Sequence, residues 1–138
     1  MKKLNSLVIP LLLLTGCSGN QKKPIQHNYH ETRDSLISWQ DVFNQSEHDY
    51  LVYFYSERCG HCNEIKNQVI SYYLSTSNKM YFVCTDLDAV FGQQGDLIGV
   101  NNIDDFYIFG TPFLIEIHEH TIMNYYAGTK AILHFMGK

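Results

Sequence analysis

A run of β-favouring apolar residues leads directly into a closely spaced cysteine pair, and this junction constrains the fold more than any other part of the chain. The run is Tyr50-Leu51-Val52-Tyr53-Phe54-Tyr55, and such a run without polar alternation is typical of a central strand covered on both faces by helices. After Cys59-Gly60-His61-Cys62, the residues Cys62, Ile65, Val69 and Tyr72 recur at helical spacing. The pattern predicts a strand, a short loop, and a helix that begins at the cysteine pair.

Helical and strand-like patterns alternate along the rest of the chain, which indicates an α/β layer architecture. Asp34 or Ser35 can cap a helix with an apolar face of Leu36, Trp39 and Phe43, and this helix should end by Glu47. The later elements are predicted as follows: a strand at 80–84, a Gly-rich segment at 86–105 with a short helix, a hairpin of strands at 113–117 and 122–126, and a helix at 130–136 after Gly128.

The N-terminus has the features of an export signal. Lys2 and Lys3 precede a mostly apolar run at 7–14, which is shorter than the roughly 20 apolar residues that a membrane-spanning helix needs. The following Leu14-Thr15-Gly16-Cys17 resembles the lipobox of bacterial lipoproteins, in which the cysteine thiol is acylated. We therefore predict a signal peptide at 1–16, a lipid-anchored flexible tether at 17–33 and one folded domain at 34–138. Ordinary secretion with a chance cysteine is the alternative.

The overall composition is that of one globular domain. Of the 138 residues, 45% are hydrophobic and 17% are charged, so the chain can bury one proper core. The formal net charge is -4, and without a run of Lys or Arg nothing supports a nucleic-acid partner. We expect a monomer on the extracytoplasmic face of a bacterial membrane.

The Cys-x-x-Cys spacing lets the two sulfurs form a disulfide without moving the backbone. Cys59, at a helix N-terminus, is the expected nucleophile, because backbone N–H groups, Arg58 and protonated His61 all favour its thiolate. Cys62 is the expected resolving thiol. Gly60 and His61 between the cysteines indicate a more oxidising couple than a Gly-Pro pair would give. This chemistry requires no dissociable cofactor.

Two other interpretations of the cysteine pair are an inert disulfide and half of a zinc site. Zinc usually takes four ligands, and the sequence contains no second Cys-x-x-Cys motif. Cys84 lies in a predicted strand, where a cysteine is most often a small buried hydrophobe. His118 and His120 share a predicted hairpin tip and are more typical of a solvated turn than of a metal site. No metal site is predicted.

Three features together resemble the thioredoxin superfamily, from about Asp34 to the C-terminus. They are the strand, Cys-Gly-His-Cys and helix unit, with the same tetrapeptide as protein disulfide isomerases; Gly110-Thr111-Pro112 before the hairpin; and Gly128 before the last helix. The resemblance implies a thioredoxin fold, with a central mixed β-sheet flanked by helices. It also implies that Pro112 is cis and docks substrate, and that the Thr111 backbone pairs with a bound peptide.

The sequence departs from this family at two positions. Tyr53 stands where thioredoxins often hold a buried acid that assists proton transfer at the second cysteine, and Arg58 replaces the usual Trp. Glu57, Glu64 or water could substitute for the acid, although both carboxylates are more typical of solvated surface groups.

The predicted function is thiol–disulfide exchange in exported proteins, with a membrane or extracytoplasmic redox partner. One alternative is a partner-specific reductase in cytochrome maturation or in peptide or bacteriocin export. The other is a non-catalytic peptide-binding module in which the disulfide is only a staple.

Overall fold

The computed structural model describes residues 23–138, so the predicted signal peptide and Cys17 lie outside the described part of the chain. The sheet order is β2-β1-β3-β4, with β1 parallel to β2 and antiparallel to β3, and β3 antiparallel to β4. The four strands are β1 (Asp49–Tyr55), β2 (Met80–Cys84), β3 (Phe113–His118) and β4 (Thr121–Ala127). The sheet is therefore mixed, as predicted, and β1 is an internal strand.

Both faces of β1 are covered, which explains why its sequence shows no polar alternation. On one face, Leu51 and Tyr53 pack with side chains of the two α-helices, α1 (Gly60–Ser75) and α2 (Thr129–Phe135). On the other face, Val52 and Phe54 pack with a second buried cluster. This second cluster includes Trp39, Leu97, Phe106, Ile108 and Phe113. Within residues 23–138, no helix has the length and apolar character that crossing a membrane would require.

The predicted helix at 34–47 is wrong. The chain instead forms two 3₁₀ helices, Tyr29–Ser35 and Trp39–Asp41. Between them, Leu36 forms a parallel bridge with Phe82 of β2, and the N–H of Ile37 donates to the Phe82 carbonyl oxygen at 2.9 Å. This pairing with the free edge of β2 requires an extended backbone, which interrupts the helical pattern. Trp39 is nevertheless buried, as the apolar spacing indicated.

The folded domain also begins earlier than predicted, so a tether reaching residue 33 is too long. The Tyr29 ring stacks on Tyr55 with 3.8 Å between ring centroids, and Thr32 is fully buried. Asn28 caps the first 3₁₀ helix in a reciprocal capping box with Glu31. These contacts fix residues 28–33 against the sheet rather than leaving them as a linker.

An irregular segment connects β2 to β3 and covers the second face of the sheet. Its predicted short helix is a single 3₁₀ turn at Ile103–Asp105. The segment folds back on itself through a bridge between Phe91 and Ile108. At Gly92, an added Cβ atom would overlap the Tyr107 ring, so the absence of a side chain permits this close packing. The segment then returns the chain to the start of β3.

Candidate active site

The cysteine pair lies at the first turn of α1, as the strand–loop–helix pattern predicted. Cys59 is the N-cap residue, and its Sγ accepts a hydrogen bond from the backbone N–H of Cys62 at 3.1 Å. The two residues form a disulfide with a Cα–Cα distance of 5.2 Å, within the usual range for such bonds. Cys62 is completely buried, whereas Cys59 is partly exposed. An incoming group can therefore reach only the sulfur of Cys59 directly.

The two basic side chains beside the cysteine pair, His61 and Arg58, are both exposed. His61 Nδ1 lies 3.2 Å from Glu64 Oε2, and both side chains are exposed. This exposed contact offsets part of the positive charge that His61 would bring to Cys59 when protonated. Arg58 is also exposed, and its charge helps to lower the pKa of Asp86. The helix N-terminus therefore supplies the most direct stabilisation of a Cys59 thiolate.

The Thr111-Pro112 segment lies opposite Cys59. The Thr111–Pro112 peptide bond is cis, which confirms the expectation from the family resemblance. The carbonyl oxygen of Thr111 is 3.4 Å from Cys59 Sγ. Beside this contact is a groove of about 300 Å³, lined by Phe109, Gly110, Thr111, Pro112, Ala127 and Gly128. The structure thus brings three sequence-predicted site residues, Cys59, Thr111 and Pro112, together at the surface that carries this groove, although Pro112 itself is largely buried.

Tyr53 lies below this surface, in the same buried cluster as Cys62. Its side chain is fully buried, and its hydroxyl has no hydrogen-bond partner among the described residues. Burial raises its pKa far above the ordinary range, and nearby Tyr29 adds to the shift. Burial also raises the pKa of Tyr29 to about 12. A phenol in this setting stays protonated at neutral pH and cannot accept a proton from Cys62.

Asp86, just beyond the end of β2, contacts the loop before Cys59 and was not identified from the sequence. Its Oδ1 accepts a hydrogen bond from Ser56 Oγ at 2.6 Å, and its Oδ2 accepts one from the Glu57 backbone N–H at 3.1 Å. The Ser56 hydrogen bond is the largest cause of the lowered pKa of Asp86, followed by that from Glu57. No sequence motif links residues 30 positions apart, so only the folded structure reveals this contact.

The residues that the sequence analysis set aside have other contacts. Cys84 is partly exposed and free, and its Sγ lies 3.4 Å from Asp86 Oδ2, so it is not the buried hydrophobe expected in a strand. His118 contacts Asp49 at 2.6 Å, whereas His120 donates to the carbonyl oxygen of Phe43 at 2.7 Å. The two histidines therefore have different partners at the hairpin end.

Comparisons with known proteins are consistent with this architecture. The sequence matches the thioredoxin family model over residues 30–128. A search of curated proteins found no match.

Three solved structures illustrate the similarity. Thioredoxin f2 from Chlamydomonas reinhardtii is 12% identical, with 74% of this chain and 92% of that chain covered and a TM-score of 0.48. Oxidised mitochondrial thioredoxin 3 from Saccharomyces cerevisiae is 10% identical, with 78% and 95% covered and a TM-score of 0.47. A chain in a structure on thiol resolution in yeast mitochondrial 1-Cys peroxiredoxin is 11% identical, with 77% and 95% covered and a TM-score of 0.47. Because the family match spans well over half of the sequence and includes the Cys59–Cys62 pair, the chain belongs to the thioredoxin family.

Proposed function

We propose that the chain is a protein thiol–disulfide oxidoreductase that acts on exported proteins through Cys59 and Cys62. One observation carries the proposal: the partly exposed Cys59 Sγ, bonded to buried Cys62, lies 3.4 Å from the Thr111 carbonyl oxygen at the edge of a groove. A substrate segment in this groove would present its sulfur to Cys59 and not to Cys62. The sulfurs themselves exchange the electrons, so the reaction requires no dissociable cofactor.

The exchange balances in two steps. In the reduced protein, the Cys59 thiolate attacks one sulfur of a substrate disulfide. That bond breaks, a Cys59–substrate disulfide forms, and the first substrate thiolate leaves. The Cys62 thiolate then attacks Cys59 Sγ, which releases the second substrate thiolate and forms the Cys59–Cys62 disulfide. Two electrons pass to the substrate, and its two thiolates take up the two protons that the cysteine pair has lost.

The position of Cys59 favours its role as the first nucleophile. Its Sγ already accepts the Cys62 backbone N–H at 3.1 Å, and this donor at the start of α1 stabilises negative charge on sulfur. Cys62 is buried behind Cys59. It therefore reacts only after Cys59 has formed the mixed disulfide with the substrate. The Thr111 backbone and Pro112, on the groove side, would hold the substrate chain beside the reacting sulfurs.

The catalytic assignment can be tested with the full chain purified in detergent. We expect the protein to reduce or oxidise a disulfide in a second protein, and Cys59→Ser to abolish this activity. Cys62→Ser should accumulate the mixed disulfide, whereas Cys84→Ser, the matched control, should retain turnover. Activity that survives Cys59→Ser would exclude the proposed mechanism. A reduction potential below about −300 mV, typical of structural disulfides, would instead support a peptide-binding module.

The location outside the cytoplasm is part of the same proposal and is supported by the lipobox-like Leu14-Thr15-Gly16-Cys17 directly after the apolar run. We expect labelled palmitate to be incorporated into the wild-type protein and not into Cys17→Ser. Identification of proteins trapped on Cys62→Ser in cells would define the partners. Several unrelated exported proteins would indicate a general oxidoreductase, whereas a single species would indicate a dedicated reductase for one export or maturation pathway.

A further inference from the structure

The loop between β1 and Cys59 is held by a connected set of hydrogen bonds centred on Ser56. The Ser56 carbonyl oxygen accepts the backbone N–H of Cys59 at 3.2 Å. The Ser56 hydroxyl oxygen accepts the backbone N–H of Arg58 at 3.2 Å and donates its own proton to Asp86 Oδ1 at 2.6 Å. The residue that caps α1 is therefore connected, through Ser56, to a carboxylate on a different loop.

Asp86 makes a second contact with the same loop. Its Oδ2 accepts the backbone N–H of Glu57 at 3.1 Å and lies 3.4 Å from Cys84 Sγ. Each carboxylate oxygen thus has a donor on the loop before Cys59. Hydrogen bonds to an ionised carboxylate are stronger than those between neutral groups. Together the contacts hold the Ser56 side chain and the Glu57 backbone from outside the loop.

We propose that Asp86 is a positioning residue for the redox centre, because its carboxylate holds Ser56 and Glu57 so that Cys59 caps α1 and faces Thr111. This inference rests on the proposed function, in which the Cys59 thiolate is the nucleophile. Asp86 does not contact either active-site sulfur and acts through the loop. Its effect is to keep Cys59 Sγ within reach of the Cys62 backbone N–H, which stabilises the thiolate.

A positioning role of Asp86 and a purely electrostatic effect of its charge predict opposite changes in the pKa of the Cys59 thiol when Asp86 is neutralised. Removal of a nearby negative charge would by itself favour the Cys59 thiolate and lower the pKa of this thiol. Loss of the loop contacts would move Cys59 away from the helix N-terminus, which raises the pKa of the thiol and slows its reactions. The sign of the change at Cys59 therefore distinguishes the two effects.

The experiment measures alkylation of each thiol by iodoacetamide against pH, in the reduced full chain in detergent, with mass spectrometry to separate the cysteines. For Asp86→Asn we expect Cys59 to alkylate about threefold or more slowly at pH 7, with its pH profile shifted upward. Ser56→Ala should slow Cys59 in the same direction. This variant changes no charge, so the slower reaction would report on positioning.

Asp88→Asn is the matched control, because it removes the same charge from the same loop at an exposed residue. It should leave the Cys59 rate unchanged or slightly increase it. An unchanged or faster Cys59 in Asp86→Asn would overturn the inference, as would an unchanged rate in Ser56→Ala. Failure of the wild-type protein to exchange protein disulfides, with the Cys59 alkylation shifts present, would count against the proposed function and leave the positioning role of Asp86 intact.

Discussion

Tyr53 stands at the position where thioredoxins often hold a buried acid, and it is the main departure of this site from the family pattern. Its hydroxyl is enclosed in the cluster that contains Cys62, without a hydrogen-bond partner among the described residues. Burial raises the pKa of this phenol, so it is already protonated and offers no base for the Cys62 proton. The proton must reach another group or the solvent.

We therefore predict that Tyr53→Phe retains disulfide exchange within about twofold, because a true proton-transfer group would contribute about 10²-fold or more. The free energy of unfolding, measured in urea, should stay unchanged or rise by up to about 1 kcal/mol, since an unpaired buried hydroxyl is removed. Tyr53→Ala is the size control and should cost about 3–5 kcal/mol through the cavity it leaves. A tenfold loss of turnover in a stable Tyr53→Phe protein would show that the hydroxyl does transfer protons.

Cys84 is the second residue whose chemistry follows from its environment. Its pKa is raised, first by burial and then by contributions that include the nearby carboxylates of Asp86 and Glu57. A raised pKa means less thiolate at pH 7, so we expect Cys84 to alkylate more slowly than free cysteine. Asp86→Asn should speed alkylation of Cys84 while it slows Cys59. A Cys84 that reacts faster than free cysteine in the wild-type protein would contradict this account.

Among the residues of the candidate active site, the sequence predicted the ones that belong to a local motif. Cys59 and Cys62 follow a strand and begin a helix, so a short-range pattern was sufficient to find them. Thr111 and Pro112 were expected only from the resemblance to the thioredoxin superfamily. Asp86 has no such pattern, because its role depends on a contact between two loops that are distant in the sequence. Such a contact arises only when β1 and β2 pair in register, with Tyr55 opposite Cys84.

Among the elements, β1, α1, β2, the β3–β4 hairpin and α2 all lie where periodicity predicted them, with small changes at their ends. Each has a face that packs on its neighbours, so local pattern and tertiary burial agree. The helix expected at 34–47 lacks this agreement, because Leu36 and Ile37 pair with the open edge of β2. Sheet pairing outweighed helical spacing there, and the spacing could not reveal that the edge of β2 was free.

Two glycines, one in α1 and one in the irregular segment between β2 and β3, provide a stability prediction at this scale. Gly60 is the first residue of α1, and a Cβ atom there would meet nothing within 4 Å. We expect Gly60→Ala to raise the free energy of unfolding of the oxidised protein by about 0.4–1 kcal/mol, because the unfolded chain loses conformational freedom. The measurement is urea unfolding followed by circular dichroism.

Gly92→Ala is the control with the opposite expectation. Its Cβ atom would overlap the Tyr107 ring, so the variant should lose about 1–3 kcal/mol through overpacking. Equal shifts for Gly60→Ala and Gly92→Ala would mean that the irregular segment adapts freely around Tyr107. In that case the close packing of this segment on the sheet would contribute little to stability.

At the scale of the whole molecule, the sheet separates two buried clusters, and the redox pair belongs to the one on the helical side. The N-terminal 3₁₀ helix completes this side, because Tyr29 covers Tyr55 at the end of β1, four residues before Cys59. Residues 28–33 therefore pack against the domain, with Tyr29 on the buried cluster that contains Cys62. The N-terminal boundary of the domain can therefore be tested by comparing the stability of chains that start at different residues.

We predict that a chain starting at Lys23 is more stable than one starting at Asp34 by about 2–4 kcal/mol, the combined worth of burying an aromatic side chain and stacking it on another ring. Tyr29→Ala in the longer chain should reproduce most of this loss, because the stack on Tyr55 is the main aromatic contact removed. His30→Ala, at an exposed neighbour in the same 3₁₀ helix, should change little. Urea unfolding of the four proteins supplies the comparison. Equal stability of the two chain lengths would show that the folded domain begins at residue 34, as the sequence predicted. It would also show that the stack of Tyr29 on Tyr55 contributes little to stability.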